Sequence, residues 1–326
     1  MSRTPLSIMS VSFWKAYLIE MRPYSLFISG IAGLLGLAFI PHPTTLRLFV
    51  AFIPLFLSYG LGNGVTASFQ TDTDAISSPY RPLGSGLISP KQSLIISLSG
   101  LGVGALVIAM LNPVILVFGV AAVIGLLTYT PFKRTWWGGP PWNSWIIALL
   151  PIMGRLVDRS YSLTTFFYLE DRYCLSFFLA VLVIFFGYAN FVIMGYFKDI
   201  SADRKTGYHT FPVVFGWKAA AFYSDITALI TAILTCMALN FLNVNHFLPI
   251  AIFGIAVIIN LYAQVSIHMI TEEEKSYGPI ADVVRAFILY CTAVIVCLKP
   301  GWVVLLGLYY ILFEIVLRLR TEKTQI

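Results

Sequence analysis

Two polar stretches carry acidic residues directly after long apolar segments. Residues 70–86 read QTDTDAISSPYRPLGSG, and residues 198–216 read KDISADRKTGYHTFPVVFG. In the second stretch Asp199 and Asp203 are four residues apart, so a continuing helix would place both carboxylates on one face. Like charges at this spacing repel each other weakly. Mg²⁺ prefers a few carboxylates together with water and phosphate oxygens, so the pair predicts a magnesium and diphosphate site.

The first stretch adds carboxylates and weaker ligands. If the preceding helix continues, Asn63, Gln70 and Asp74 fall on one face, with Thr66 nearby. Asp72 is a further carboxylate two residues before Asp74. The catalytic carboxylates we expect are Asp74, Asp199 and Asp203. The candidate metal ligands are Asn63, Thr66, Gln70, Asp72, Asp74, Asp199 and Asp203.

Basic residues accompany both acidic stretches. Lys198 lies beside Asp199 and could contact a phosphate, and Arg81 offers the planar guanidinium that suits phosphate oxygens. Isolated charges in such places would belong to ordinary solvated loops. Two acidic stretches, each followed by basic residues, favour a shared metal and diphosphate site instead.

Two further basic segments have two interpretations each. The loop 129–142 contains Lys133 and Arg134, which could contact phosphate or, with the tryptophans of the loop, anchor the chain at the bilayer surface. Arg22 could extend to lipid headgroups or turn toward the site. The candidate diphosphate-binding residues are Arg22, Arg81, Tyr129, Lys133, Arg134 and Lys198.

The composition indicates an integral membrane protein. Of the 326 residues, 58% are hydrophobic and only 11% are charged, with a mean hydropathy of +0.84. Soluble domains carry about 25% charged residues, so a soluble globule is excluded. The four cysteines and four histidines show no metal-type spacing, and no nucleic-acid motif is visible.

Apolar segments long enough to cross a bilayer recur along the whole chain. They predict an all-α membrane bundle of nine or ten spans that forms a single domain, residues 1–326. The predicted spans are 18–40, 46–70, 92–111, 113–131, 143–158, 173–197, 217–240, 246–270, 280–298 and 301–318.

The basic residues predict the orientation of the bundle. With the N-terminus inside, most of the 21 lysines and arginines fall on the inner side, as the positive-inside rule requires. Both acidic stretches then lie on the cytoplasmic side. The net charge of +6 is explained by this topology and does not indicate nucleic-acid binding. The basic residues on the outer side would be Arg47, Arg155, Arg159, Arg172 and Lys299.

The two acidic stretches resemble the motifs of the UbiA superfamily of intramembrane prenyltransferases. The first family motif, N-x-x-x-D-x-x-x-D, often continues A-I-x-x-P-x-R-P; residues 74–76 (Asp-Ala-Ile) and 79–82 (Pro-Tyr-Arg-Pro) match that continuation. The chain departs from the motif itself, with Gln70 at an Asp position and Thr66 at the Asn position. The second motif is D-x-x-x-D followed by Gly and T-x-P. Its matches are Asp199, Asp203, Gly207, Thr210 and Pro212.

The resemblance implies a helical bundle around a central lateral cavity and a defined chemistry. Two Mg²⁺ ions would bridge the acidic stretches and an isoprenoid diphosphate of farnesyl or geranylgeranyl size. The C–O bond would break toward an allylic cation, and an aromatic or other hydrophobic acceptor would capture it. The partners implied are the prenyl diphosphate, the acceptor and the lipid bilayer.

Two alternatives differ in their chemistry. In a UbiA-type terpene cyclase, a double bond of the substrate itself would capture the cation, and the altered first motif is compatible with that branch. In a transporter or channel, intramembrane charges would mark an ion route, but the candidate ligands here cluster at one face of the membrane.

Overall fold

The regular structure of the described residues is entirely helical. The computed structural model describes residues 4–160, 171–244 and 246–320, and these contain α-helices and short 3₁₀ turns without a strand. The all-α prediction is therefore confirmed. The α-helices are α1 (Val11–Glu20), α2 (Leu26–Ala38), α3 (Thr45–Ala67), α4 (Thr71–Ser77), α5 (Pro90–Ala109), α6 (Ile115–Lys133), α7 (Gly139–Leu156), α8 (Arg172–Gly195), α9 (Ile200–Lys205), α10 (Phe211–Phe241), α11 (Phe247–Met269), α12 (Tyr277–Leu298) and α13 (Val303–Arg318).

The number of membrane spans follows from helix length and composition. Among the described residues, 8 helices are long and apolar enough to cross a bilayer, and the pair Val11–Glu20 and Pro23–Ala38, bent by 55°, makes a ninth. Within the described residues, this count matches nine, the smaller of the two predicted numbers. The predicted span 143–158 falls on α7, whose apolar run is interrupted by prolines and by Asn143 and Arg155.

The centre of the bundle is formed by α2, α8 and α12. Every residue of α2 is buried, and most of the apolar length of α8 and α12 is buried as well. Glycines allow close backbone packing between α2 and α7, since a side chain at Gly36 would overlap the backbone of Pro151. The helices α5, α6, α11 and α13 expose apolar faces on the surface of the bundle, which suits contact with lipid.

A cavity of about 960 Å³, called the chamber below, lies between α1, α3, α5, α6 and α7. Its wall is largely apolar. Leu18, Ile53, Ile95 and Val103 line the chamber and are themselves exposed, so the chamber opens sideways toward the lipid. The predicted lateral cavity is confirmed.

The two acidic stretches meet at one end of the bundle. The short helices α4 and α9 contact each other there, where the hydroxyl oxygens of Thr73 and Thr206 are 2.8 Å apart. The end of α6 joins them, because the backbone N–H of His209 donates to the carbonyl oxygen of Arg134 at 3.0 Å.

Candidate active site

The second acidic stretch is shaped by a break after α8. A 3₁₀ turn, Tyr196–Lys198, follows α8, and α9 then holds Asp203 one turn after Asp199, since the N–H of Asp203 donates to the carbonyl oxygen of Asp199 at 2.7 Å. Gly207 then turns the chain with φ +76°, a conformation that glycine adopts without strain. Asp203 is thereby fully buried, while Asp199 is partly exposed.

The first acidic stretch does not continue α3. The helix ends at Ala67, and Gln70 has a non-helical backbone before α4 begins. The predicted common face of Asn63, Gln70 and Asp74 is therefore wrong. The amide of Asn63 instead donates to the carbonyl oxygen of Met21 at 3.3 Å and to the Ser25 hydroxyl at 3.2 Å.

Thr66 also belongs to α3, one residue before that helix ends. Its hydroxyl donates to carbonyl oxygens of the preceding turn of α3, at 3.2 Å and 3.3 Å. Both Asn63 and Thr66 line the chamber. These two predicted ligands thus form part of the chamber wall, next to the charged residues.

Lys133 joins the two acidic stretches. Its ammonium donates to Oε1 of Gln70 at 2.9 Å and lies 4.0 Å from Oδ1 of Asp203. The amide nitrogen of Gln70 donates to the hydroxyl of Thr130 at 3.3 Å, which fixes the amide orientation. Lys133, Gln70 and Asp203 are all buried.

Asp74 is surrounded by two guanidinium groups. Arg81 donates to Oδ2 of Asp74 at 2.9 Å, and both side chains are buried. Arg22 lies close enough for its charge to act on Asp74. Its backbone is left-handed, with φ +51°, at the break between α1 and α2. Of the two predicted positions for Arg22, the structure therefore shows the one turned toward the site.

Lys198 and Tyr129 complete the buried group. Lys198 is buried beside Asp199, and the two charges attract each other. Tyr129 lies one helical turn before Lys133 on α6, and its hydroxyl is 3.2 Å from that of Tyr196. We use the name charged cluster for Arg22, Gln70, Asp74, Arg81, Tyr129, Lys133, Lys198, Asp199 and Asp203.

Asp72 and Arg134 lie at the rim, outside the charged cluster. Arg134 donates to Oδ2 of Asp72 at 3.1 Å, and both side chains are about half exposed. The hydroxyl of Tyr208 donates to Oδ1 of Asp72 at 3.3 Å, and the guanidinium of Arg134 stacks on the Tyr208 ring. Asp72, the additional carboxylate of the first stretch, is therefore bound to Arg134 and Tyr208 at the rim and does not belong to the group around Asp74.

Burial disfavours the charged form of the two buried carboxylates, and neighbouring basic groups partly oppose this effect. Burial raises the pKa of Asp74 to about 7, although the nearby Arg22 opposes the shift. Burial likewise raises the pKa of Asp203 to about 6, and Lys133 opposes it. Oδ2 of Asp203 accepts from the Thr210 hydroxyl at 3.0 Å, whereas its buried Oδ1 accepts no hydrogen bond. Such an oxygen is suited to a cation.

The described residues contain no group of three or more His, Cys, Asp or Glu side chains placed to hold a metal ion. A cage of protein ligands alone is therefore absent from this part of the chain. Mg²⁺ is typically held by one or two carboxylates together with phosphate oxygens of a substrate. The donor set of the charged cluster fits an ion that arrives with an anionic ligand.

The family of the chain follows from comparison with known proteins. A model of the UbiA prenyltransferase family matches residues 26–278, well over half of the chain. The chain belongs to the UbiA prenyltransferase family. It is therefore a membrane enzyme that transfers prenyl groups, and the transporter alternative is wrong.

Curated UbiA relatives include digeranylgeranylglyceryl phosphate synthases. The one from Pyrococcus abyssi is 26% identical over 224 residues, which cover 67% of this chain and 76% of the relative. The one from Pyrococcus horikoshii is 23% identical over 267 residues, which cover 80% of this chain and 89% of the relative. The similarity thus extends over most of both chains.

Solved UbiA structures share the fold. A UbiA homologue from Aeropyrum pernix K1 aligns with a TM-score of 0.67 at 17% identity, over 88% of this chain and 98% of that chain. A UbiA homologue from Archaeoglobus fulgidus bound to GPP and Mg²⁺ aligns with a TM-score of 0.61 at 17% identity, over 86% of this chain and 99% of that chain.

Glu20 is a residue of this UbiA site that the sequence patterns above did not predict. Glu20 is buried, its Oε2 accepts from the backbone N–H of Leu83 at 3.2 Å, and its Oε1 accepts no hydrogen bond. Its charge also acts on Asp74. A carboxylate two residues before Arg22, within an apolar helix, is the signal that could have identified it.

Proposed function

We propose that this chain is a Mg²⁺-dependent prenyltransferase that ionises an isoprenoid diphosphate and transfers the prenyl group to a hydrophobic acceptor. The observation that carries the proposal is the junction between the charged cluster and the chamber. Thr66, which lines the chamber, is only four residues from Gln70 in the cluster. A ligand with an anionic head and an apolar tail matches this junction.

The residues present fit a divalent cation. Carboxylate oxygens of Asp74, Asp199 and Asp203 would hold it together with phosphate oxygens of the substrate. The buried Oδ1 of Asp203, which accepts no hydrogen bond, is an available ligand. The bound ion would neutralise part of the negative charge that grows on the diphosphate as the C–O bond breaks.

The basic residues of the cluster bind the diphosphate and stabilise it as a leaving group. The electron pair of the C–O bond stays on the diphosphate, and an electron pair of the acceptor then forms the new bond to the prenyl carbon. The acceptor loses a proton, which the released diphosphate can accept. Tyr59 and Tyr188, whose hydroxyls are hydrogen-bonded at 2.8 Å, line the chamber and offer ring faces to the cation.

The chamber supports a donor of farnesyl or geranylgeranyl size. Along α3 it is lined from Val50 to Thr66, a rise of about 24 Å. An extended chain advances roughly 1.2 Å per bond, so a farnesyl chain reaches about 14 Å and a geranylgeranyl chain about 19 Å. Both fit. The digeranylgeranylglyceryl phosphate synthases among the relatives favour the geranylgeranyl donor and a prenylated glyceryl phosphate acceptor over an aromatic one.

The orientation in the membrane is part of the proposal. The N-terminus and both acidic stretches would face the cytoplasm, where a water-soluble diphosphate head is supplied. The excess of lysine and arginine at that end supports this orientation. The test is labelling of Ser85→Cys by an impermeant thiol reagent in sealed right-side-out vesicles, in a background in which the native cysteines, including the exposed Cys236, are replaced by serine. Labelling before lysis would contradict the orientation.

A product assay tests the reaction. The purified protein in nanodiscs is incubated with farnesyl or geranylgeranyl diphosphate, with and without geranylgeranylglyceryl phosphate or an aromatic acceptor, in Mg²⁺ or in EDTA. We expect diphosphate release and a coupled product that require both Mg²⁺ and acceptor. A cyclic hydrocarbon formed without acceptor would identify a terpene cyclase instead, and turnover in EDTA would refute the metal dependence.

A further inference from the structure

The break between α1 and α2 gives Arg22 an unfavourable backbone conformation. Its φ of +51° and ψ of +79° lie in the left-handed region, which residues with a Cβ atom rarely adopt. Pro23 follows directly and disfavours the α conformation for Arg22, so α1 does not simply continue into α2. A conformation of this kind persists only where the surrounding structure holds it in place.

Two side chains hold the carbonyl groups at the break. The Ser25 hydroxyl donates to the carbonyl oxygen of Arg22 at 2.7 Å. The amide nitrogen of Asn63, on α3, donates to the carbonyl oxygen of Met21 at 3.3 Å and to the Ser25 hydroxyl oxygen at 3.2 Å. A carbonyl oxygen can only accept, so the contact with Met21 fixes which end of the Asn63 amide faces the break.

The helix α3 packs closely against the break. Gly60 lies one turn before Asn63, on the same face of α3. A Cβ atom at Gly60 would lie 2.7 Å from the side chains of Met21 and Leu26, so the close approach requires a glycine there. Ser25 is fully buried. The hydrogen bonds of Asn63 and Ser25 are therefore part of a packed contact and not of a mobile surface.

The guanidinium of Arg22 has a donor that no protein group uses in the described part of the chain. Its Nε–H is buried and has no hydrogen-bond acceptor there. The charge of Arg22 acts on Asp74 and on Lys198, so the guanidinium belongs to the charged cluster. A buried donor without an acceptor is costly, and a phosphate oxygen is a strong acceptor for a guanidinium.

We infer that Asn63 and Ser25 are positioning residues, which hold the backbone of Arg22 so that its guanidinium faces the diphosphate of the substrate. Asn63 also lines the chamber, so the same side chain joins the wall of the chamber to the charged cluster. The inference rests on the proposed function, and it gives Asn63 a role other than that of a metal ligand.

The affinity for pyrophosphate measures this role without turnover. The protein in nanodiscs is titrated with ³²P-pyrophosphate at a fixed Mg²⁺ concentration, and thermal unfolding is measured on the same samples. Arg22→Gln should weaken pyrophosphate binding by about tenfold or more, as expected when a hydrogen bond to a charged group is lost. Asn63→Leu keeps the size of the side chain and should weaken binding by a similar factor, because Arg22 is no longer held toward the anion.

The double variant separates positioning from a general structural role. If Asn63 acts through Arg22, then Asn63→Leu should change the affinity by less than about twofold when Arg22→Gln is already present, since two changes in one chain of contacts are not additive. A merely structural role would weaken pyrophosphate binding by the same factor in both backgrounds.

Two further variants serve as control and as alternative. Ser58 is also a polar residue of α3 that lines the chamber, but its hydroxyl donates to the Leu55 carbonyl oxygen of its own helix at 2.7 Å; Ser58→Ala should leave the affinity within about twofold of the wild type. Ser25→Ala is a smaller change than Asn63→Leu. If Asn63→Leu does not fold, Ser25→Ala decides, and we expect it to weaken binding about fivefold or more in the wild type but less than about twofold beside Arg22→Gln.

The outcomes separate this inference from the proposed function. Unchanged binding by Arg22→Gln, or equal weakening by Asn63→Leu in both backgrounds, would overturn the inference and leave the proposed function standing. An absence of Mg²⁺-dependent pyrophosphate binding by the wild type would overturn both.

Discussion

Replacing Lys133 by methionine removes a positive charge from the buried group around the diphosphate position, with little change in side-chain volume. The wild-type ammonium is buried and lies 4.0 Å from Asp203. The same ammonium would face the diphosphate as its negative charge grows. We therefore expect Lys133→Met to slow ionisation much more than it weakens folding.

The size of the effect follows from Coulomb's law. Two unit charges 4 Å apart interact by about 4 kcal/mol at an effective dielectric constant of 20. If that interaction is lost when the leaving group carries its full charge, kcat/KM falls by about a thousandfold. Lys133→Arg keeps the charge and should recover part of the rate.

The assay is diphosphate release from geranylgeranyl diphosphate by the variants in nanodiscs, with thermal unfolding measured on the same samples. Lys205→Met is the matched control, because Lys205 is exposed two residues from Asp203; its kcat/KM should stay within a factor of about three of the wild type, as is usual for surface changes. A fall of less than tenfold in a folded Lys133→Met protein would refute the electrostatic role of this residue.

Three further predictions concern the carboxylates and the chamber. Asp199→Ala or Asp203→Ala should abolish turnover, because each variant removes a carboxylate from the charged cluster. The gel-filtration elution volume should stay unchanged. If either variant retains turnover, that residue does not belong to the proposed metal site. Ala122→Phe adds a ring to the chamber wall, about 16 Å along α6 from Lys133, so competition between labelled donors should shift at least tenfold from geranylgeranyl toward farnesyl diphosphate. Val120→Phe, at an exposed position of the same helix, should not shift that competition. Burial raises the pKa of Asp74 to about 7 and that of Asp203 to about 6, and a carboxyl ligand must be deprotonated to bind a metal ion. The affinity for Mg²⁺ should therefore fall as the pH is lowered from 8 to 5.5. A Mg²⁺ affinity that does not change over this pH range would contradict this prediction.

The second acidic stretch is predictable from sequence because its geometry is local. Asp199 and Asp203 lie one turn apart, as their spacing predicts, although α8 ends at Gly195 and does not continue through them as expected. The first stretch is harder, because no glycine or proline lies between Gly64 and Pro79 to indicate that α3 ends at Ala67. The bend there is set by packing against distant segments, including the contact of Gln70 with Lys133.

The break at Arg22 could have been found. Arg22 precedes Pro23, and a residue before proline is disfavoured in the α region; the structure places Arg22 in the left-handed region between α1 and α2. The position of Glu20 within an apolar helix marks it as unusual, but its neighbours Leu83 and Asp74 are far away in the chain and could not be predicted. Only the tertiary fold brings them together.

The sideways opening of the chamber determines how substrate supply should be described. Because Ile95 and Val103 line the chamber and are exposed on the outer face of the bundle, a water-insoluble acceptor of the proposed kind would reach the site from within the bilayer. Its effective concentration is then its mole fraction among the surrounding lipids. Diluting the vesicles with buffer would leave the rate per enzyme unchanged, whereas adding inert phospholipid at constant acceptor would lower it.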